Sequence, residues 1–317
     1  MDSTGILSIV VPCCNEESTL HAFFEVLSEV EGKMDFVKFE YVFVDDGSKD
    51  NTWMQISKLA KYNPGVKGIR LSRNFGKESA ILAGLSNISG EAVVVIDCDL
   101  QHPPEIIPEM YKRWSKDEVD VVEGIKENRG SESLIYRAFA SAFYSIINKL
   151  SNVNLRDSSD FQLIDGKVAG IITSLPERQR FFRALSSWAG FKRAKVNFRV
   201  QARKSGRSKW SFFKLFKYAL NNITSFSSVP LQVVTLFGFI FFVAAVVLGV
   251  HTLSVFISGY AIEGFTTVIL LLLIIGAMLM ISLGILGLYV AKIYEEIKGR
   301  PPYLIESVVK FEEESAA

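Results

Sequence analysis

Apolar and polar positions along the chain fall into two regimes. From residue 6 to about residue 125, short apolar runs alternate with stretches of helical period. Ile6–Pro12, Glu40–Val44, Val66–Leu71, Ala92–Ile96 and Val119–Glu123 are rich in β-branched and aromatic residues and predict strands. Glu17–Val30, Thr52–Tyr62, Lys77–Ser86 and Pro104–Ser115 predict helices between them. Such alternation predicts βαβ units around a mostly parallel sheet, an α/β fold. Ligands of such sheets bind at the carboxyl ends of the strands, and the polar clusters of this chain fall there.

The second regime occupies the last third. Leu231–Ile257 and Phe265–Ala291 are continuous apolar runs without a Lys, Arg, Asp or Glu. Each exceeds the ~20 residues that cross a ~30 Å hydrocarbon layer. The short linker Ser258–Gly264 makes them a hairpin. Its flanks are basic: Arg203, Lys204, Arg207, Lys209, Lys214 and Lys217 precede it, and Lys292, Lys298 and Arg300 follow. The positive-inside rule therefore places both ends in the cytoplasm and the linker outside. Trp210–Phe226 sets Phe212, Phe213, Leu215, Phe216, Leu220 and Ile223 near one helical face, the pattern of an interfacial amphipathic helix. Leu134–Leu150 has a similar pattern, which packing on the front domain explains equally well. The expected organisation is a front domain over 1–209, a juxtamembrane helix over 210–228, two membrane helices within 229–291 and a cytoplasmic tail over 292–317.

Composition narrows the function. A net charge of +1 excludes a general nucleic-acid binder, which needs a basic excess. A hydrophobic fraction of 49% and a mean hydropathy of +0.25 reflect the last third. The cysteines Cys13, Cys14 and Cys98 lack metal-ligand spacing and read as buried thiols in a reducing compartment. The first residues lack the pattern of a secretory signal, so the front domain is expected in the cytoplasm.

Three polar clusters follow predicted strands. Asp97 and Asp99 stand two residues apart after Ala92–Ile96, with Gln101 at the next alternate position. Such oxygens suit Mg²⁺ or Mn²⁺ shared with a substrate diphosphate. Asp45 and Asp46 end the second strand, before Gly47 and Ser48. A turn with a helix cap accounts for Gly47 and Ser48; two carboxylates crowded at one strand end suit a base or ribose. Arg73 to Lys77 open a helix, where cations bind phosphate, although a solvated basic loop has the same composition.

Taken together, these segments resemble family 2 glycosyltransferases of the GT-A fold. The motifs are SIVVPCCNEE (Ser8–Glu17), VDDGSKDNT (Val44–Thr52), LSRNFGKESA (Leu71–Ala80), DCDLQHPPE (Asp97–Glu105), SSDFQLID (Ser158–Asp165), RFFRALSSWAGF (Arg180–Phe191) and RKSGRSKW (Arg203–Trp210). Within the family the chain is similar to polyprenyl-phosphate glycosyltransferases, which include dolichol-phosphate mannose synthases and bactoprenol glucosyltransferases. The two-helix end and RFFRALSSW look most like the latter. The resemblance implies a nucleoside site at Pro12, Asn15, Glu17, Asp45 and Asp46. It implies a metal and diphosphate site at Asp97, Asp99 and Gln101, with Asp99 also counted as catalytic and Lys77 as part of the donor site. Arg203 and Lys209 would close over the diphosphate. Lys126 and Arg129 would meet the acceptor phosphate, and Asp157 and Asp160 would lie near the sugar. Cys13-Cys14 replaces a usual Ala-Tyr type pair, and Gln162 stands where Arg is frequent.

The implied reaction is an inverting transfer of a hexose, glucose from UDP-glucose on branch resemblance, to polyprenyl phosphate at the cytoplasmic membrane face. Its partners would be the nucleotide sugar, the lipid phosphate and the bilayer, with a homo-oligomer possible. GDP-mannose as donor, and a processive polysaccharide synthase, are the alternatives. The second lacks its Q-x-x-R-W motif here, because Arg183 follows Gln179 one place late. A non-catalytic sensor is disfavoured by the intact Asp97, Asp99, Arg203 and Lys209. A flippase subunit is disfavoured by the absence of charge in the apolar runs.

Overall fold

In the computed structural model, the described residues are 5–126, 159–177, 180–198, 229–259 and 264–311. Alternate residues of its central strands enter two different cores, which is why these strands read as continuous apolar runs. In β1 (Gly5–Cys13), Leu7, Ile9 and Val11 face one cluster and Val10 the other. β2 (Val37–Asp45) divides Tyr41 and Phe43 from Val42 and Val44 in the same way. β4 (Ala92–Val95) divides Ala92 and Val94 from Val93 and Val95.

Helices cover both faces. α1 (Leu20–Glu31) buries Leu20, Phe23, Leu27 and Val30, a single stripe at helical spacing. With α2 (Thr52–Tyr62) and α4 (Ile107–Lys116, after a 3₁₀ turn at Pro104–Ile106) it covers the first face. α3 (Lys77–Leu85), α5 (Gly166–Ser174) and α6 (Phe182–Trp188) cover the second. α3 lies very close to β1: a Cβ on Gly84 would stand 2.3 Å from Val10 Cγ1, so only glycine fits that crossing.

The remaining strands are β3 (Val66–Leu71), β5 (Val121–Lys126), β6 (Gln162–Asp165), β7 (Arg193–Phe198) and β8 (Ile305–Lys310). The sheet order is β7-β5-β6-β4-β1-β2-β3-β8. Pairs β1–β2, β1–β4, β2–β3 and β5–β7 are parallel; β3–β8, β4–β6 and β5–β6 are antiparallel. The order reverses at β1, between β2 and β4, which opens a crevice beyond the carboxyl ends of those strands.

Val66–Leu71 and Thr52–Tyr62 have the bounds expected from the sequence, and the other elements predicted between residues 6 and 125 shift by a few residues. Two features differ more. The final helix runs on through Lys292 and Glu296 to Ile297, because charged residues end an apolar span without ending a helix. Residues 305–310, expected as a tail, instead pair with β3 and close that edge of the sheet.

The chain forms two compact units, 1–209 with 300–317, and 210–299. In the second, α7 (Val229–Ile257) and α8 (Phe265–Ile297) hold spans, Leu231–Val255 and Leu271–Ile297, long and apolar enough to cross a membrane. Phe239, Phe242, Val247, Leu272, Leu273 and Met280 are all exposed there, an arrangement suited to lipid and not to water.

Candidate active site

The crevice at the reversal of strand order holds a cleft of ≈ 360 Å³ lined by Pro12, Cys13, Cys14, Glu16, Asp46, Asn74, Gly76, Lys77, Ala80, Asp97, Cys98 and Asp99. Three loops meet there, following β1, β2 and β4, together with the N-terminus of α3. Short-range hydrogen bonds lock these loops to one another. Asn15, at φ 57°, receives the Lys49 N–H on its Oδ1 and donates its own N–H to Ser48 Oγ, both at 2.9 Å. The Glu16 N–H donates to Thr52 Oγ1 at 2.8 Å. Asp46 accepts the Phe75 N–H on Oδ1 at 2.7 Å and the Gly76 N–H on Oδ2 at 2.9 Å. Gly47 has φ 64°, and a Cβ there would meet the Arg73 carbonyl carbon and Asn74 nitrogen at 2.5 Å. The turn at Gly47 and the Asp46 carboxylate thus serve one end, docking the Arg73–Lys77 loop.

The expected nucleoside residues divide. Pro12 and Asp46 line the cleft. Asp45 lies wholly buried beneath it; its Oδ1 accepts the Ser48 N–H at 3.1 Å and its Oδ2 stands 3.4 Å from Arg70 Nε. Burial raises the Asp45 pKa against the bonds from Ser48 and the Arg70 charge. Glu17 turns away from the cleft and accepts the Asn51 N–H on Oε2 at 2.9 Å. Its neighbour Glu16 lines the cleft instead, and burial with the charges of Asp99 and Asp97 raises its pKa. No feature of the local sequence separates these two glutamates; the left-handed backbone at Asn15 does. Cys14, expected buried, is exposed at the rim because it lies past the strand end, while Cys13 and Cys98 are buried. A hydrogen bond with Cys98, together with burial, pushes the Cys13 thiol up.

Behind Asp97 lies a charge network. Lys77 Nζ is 2.6 Å from Asp97 Oδ1 and 2.7 Å from Asp160 Oδ2. Arg183 grips Asp160 from the other side, Nε to Oδ1 at 2.5 Å and Nη2 to Oδ2 at 2.7 Å. Burial alone would raise the Asp160 pKa, but the Arg183 hydrogen bond and the charges of Lys77 and Arg183 hold it well below the carboxylate range. Burial would lower the Lys77 pKa, and the two carboxylates outweigh that and raise it. Glu78 accepts the Phe182 N–H at the start of α6 at 2.8 Å, and burial with the Asp160 charge pushes it up to about 7. Sequence reasoning missed Glu16, Glu78 and Arg183 in these places.

His102 is buried against the rings of Phe161 and Phe198, at 5.4 and 5.7 Å. Its Nδ1 stands 3.7 Å from Asp97 Oδ2, and its Nε2 lies 3.4 Å from Ser159 Oγ. Burial lowers its pKa, and the charge of Lys126, the last residue of β5, adds to that shift. Gln162 is buried and donates to the Ser159 carbonyl at 2.8 Å. The guanidinium beside Glu123 comes from Arg193 on β7. Asp157, Arg129, Arg203 and Lys209, and the stretches 134–150 and 210–226, lie outside the described residues.

A divalent cation fits the donor chemistry of the cleft. Its described lining presents the carboxylates of Glu16, Asp46, Asp97 and Asp99 and the single ammonium of Lys77. A diphosphate cannot enter such a surface without added positive charge, and Asp97 with Asp99 supplies the hard oxygens that Mg²⁺ or Mn²⁺ takes beside phosphate. Asp99 Oδ1 also accepts the Gln101 N–H at 3.1 Å; the Gln101 side chain is not among the residues lining the cleft. Among the described residues no cluster of three His, Cys, Asp or Glu side chains is arranged as a closed metal cage.

The model of the family "Glycosyl transferase family 2" matches residues 8–168. An uncharacterized glycosyltransferase of Synechocystis sp. is 38% identical over 309 residues, covering 95% of this chain and 95% of its own. A bactoprenol glucosyl transferase of Shigella phage SfX is 37% identical over 305 residues, covering 95% of this chain and 99% of its own. Among solved structures, glucosyl-3-phosphoglycerate synthase from Mycobacterium tuberculosis, in complex with Mn²⁺, uridine diphosphate and glucosyl-3-phosphoglycerate, is 20% identical. It covers 69% of this chain and 77% of its own, with a TM-score of 0.48.

Proposed function

Because the chain belongs to glycosyl transferase family 2 and is a glycosyltransferase, we propose that it transfers glucose from UDP-glucose to a polyprenyl phosphate at a membrane surface. The observation that carries this reading is the extent of the likeness to bactoprenol glucosyl transferases. At 37% identity it spans 99% of the phage protein, and so takes in the apolar helices as well as the catalytic unit.

The phosphate oxygen of the lipid attacks the anomeric carbon, the bond from that carbon to the donor's diphosphate breaks, and nucleoside diphosphate leaves. Inversion gives a β-linked sugar from an α-linked donor. The acceptor needs no deprotonation, since the second pKa of a phosphate monoester is ~6. This agrees with Asp160, whose carboxylate is clamped by Lys77 and Arg183 and is a poor proton acceptor. Asp160 therefore orients the donor end of the cleft through Lys77, and Asp157 is assigned the contact near the sugar. Asp97 and Asp99 would hold Mg²⁺ or Mn²⁺, which supplies Lewis-acid neutralisation of the leaving diphosphate. Arg203 and Lys209 are assigned to close over that diphosphate, and Lys126 and Arg129 to receive the incoming phosphate.

The membrane reading rests on α7 and α8 together with β8. Both ends of the helical pair connect to the same globular unit, since the chain after α8 pairs with β3. Two crossings satisfy that connectivity, whereas one would put the strand and its sheet on opposite sides.

The test is a donor screen with purified full-length protein. Radiolabelled sugar transfer to undecaprenyl phosphate is scored for UDP-glucose, GDP-mannose and other UDP-sugars, with Mg²⁺, Mn²⁺ or EDTA. UDP-glucose with metal is expected to give lipid-linked product. A preference for GDP-mannose would move the protein to the mannose synthase branch, and a growing polymer would favour the synthase reading.

A further inference from the structure

Asp97 is asked to ligate a metal, yet its carboxylate already holds a cation. Lys77 Nζ lies 2.6 Å from Oδ1 and 2.8 Å from Oδ2 of Asp97, close to both oxygens at once. The same ammonium reaches Asp160 at 2.7 Å. The two contacts are unequal. The Asp160 side chain is 6% exposed and fixed by Arg183, whereas the Asp97 side chain is 25% exposed at the cleft. The Asp160 contact is the anchor and the Asp97 contact is the one that gives way.

We propose that Lys77 is a resident counter-ion of Asp97 that couples metal loading to donor loading. This rests on the metal-dependent donor site described above. A divalent cation and an ammonium cannot both sit on one carboxylate without strong repulsion at such distances. Metal entering the empty cleft must displace Lys77 and leave it with Asp160 alone. A donor brings a diphosphate into the same cleft, and Lys77, which lines that cleft, moves onto the phosphate oxygens. The displaced ammonium then keeps a partner and the metal gains phosphate ligands. Metal therefore binds weakly alone and well with nucleotide, which keeps an isolated cation out of a cleft rich in carboxylates. In this scheme Lys77 acts on the metal through Asp97 and on the donor by direct contact with its diphosphate.

The experiment measures Mn²⁺ uptake by full-length protein from the loss of the free Mn²⁺ electron paramagnetic resonance signal, with and without UDP. Wild type is compared with Lys77→Met, Lys77→Arg and Arg73→Met. Arg73 is a cation of the same loop whose guanidinium lies over the Phe75 ring, so it controls for a general change in field. Without UDP, Lys77→Met is expected to bind Mn²⁺ roughly tenfold more tightly than wild type, the scale of one ion pair in a network. Arg73→Met stays within about twofold, and UDP narrows the gap between wild type and Lys77→Met. Lys77→Arg keeps the charge and grips a carboxylate bidentately, so its uptake without UDP falls at least about threefold. That variant tests the scheme if the methionine variant does not fold. Equal uptake by wild type and folded Lys77→Met, an equal gain in Arg73→Met, or unchanged uptake in Lys77→Arg overturns the proposal. In those cases uptake by wild type with UDP leaves the metal reading standing. No uptake by any variant even with UDP overturns both.

Discussion

Glu78 carries a pH signature of its own. Its carboxyl is pushed up to about 7 by burial and by Asp160, so the folded protein holds its proton more tightly than the unfolded chain. The stability this group contributes is complete below its ordinary value of 4.5 and is lost as pH rises through about 7. Between pH 6 and pH 8 the loss is on the order of 1 kcal/mol, or about 3 °C in Tm. Glu78→Gln keeps an acceptor for the Phe182 N–H and removes the titration, so its Tm is expected to stay flat over that range; an equal slope in both proteins would refute the assignment. Asp160 has the opposite sign. Its pKa is depressed, so its contribution is present at neutral pH and lost in acid as the clamped carboxylate is protonated. Asp160→Asn leaves Lys77 and Arg183 facing a neutral group, which costs roughly 3 kcal/mol in chemical denaturation and abolishes transfer. At this scale the sequence located Asp46, Asp97 and Asp99 because each follows an apolar run. It did not separate Glu16 from Glu17, nor find Arg183, whose partner Asp160 lies 23 residues away across intervening structure.

Among the elements, the loop from Arg73 to Lys77 depends on the turn after β2. Gly47 takes a left-handed conformation with backbone of residues 73 and 74 pressed against its Cα. Gly47→Ala adds about 1 kcal/mol of backbone strain and must also push that loop away. Loss of both UDP binding and thermal stability is expected by calorimetry; retention of wild-type UDP affinity would show that the loop does not serve the cleft. β8 makes a second element-scale case. It closes the β3 edge, Ser72 donates its N–H to the Leu304 carbonyl at 2.9 Å, and Ser79 Oγ donates to the Pro302 carbonyl at 3.1 Å. Deleting residues from 300 onward therefore uncovers a sheet edge and the first turn of α3. Lower solubility and a lower Tm are expected in detergent. The predicted β1 to β5 were legible because buried parallel strands are apolar on both faces. β6 to β8 were not, because β6 has only two apolar residues between Gln162 and Asp165, β7 is half exposed and β8 pairs with a strand more than two hundred residues earlier.

For the whole molecule, the proposed arrangement has a topological consequence. If α7 and α8 cross a bilayer as a pair, residues 258 and 307 lie on opposite sides of it. In a background with Cys13, Cys14 and Cys98 replaced by serine, Ser258→Cys is expected to react with an impermeant maleimide in intact cells. Ser307→Cys should react only after permeabilisation, and labelling of both in intact cells would exclude the hairpin. The division into two units also separates the tasks: the sheet builds the cleft, and the second unit carries the two apolar spans.

The sequence by itself determined the α/β alternation, the family motifs, the strand-end carboxylates and the two apolar spans. These depend on local periodicity and on short runs of residues, and local physics is written in neighbouring positions. The tertiary structure decided which side chains share the cleft. It chose Glu16 over Glu17 through the turn at Asn15, used Asp46 to dock a loop, and set Lys77 between Asp97 and Asp160. It also made residues 305–310 a strand of the catalytic sheet. Those outcomes depend on contacts between segments far apart in the chain, whose geometry only the packed sheet and its helices fix.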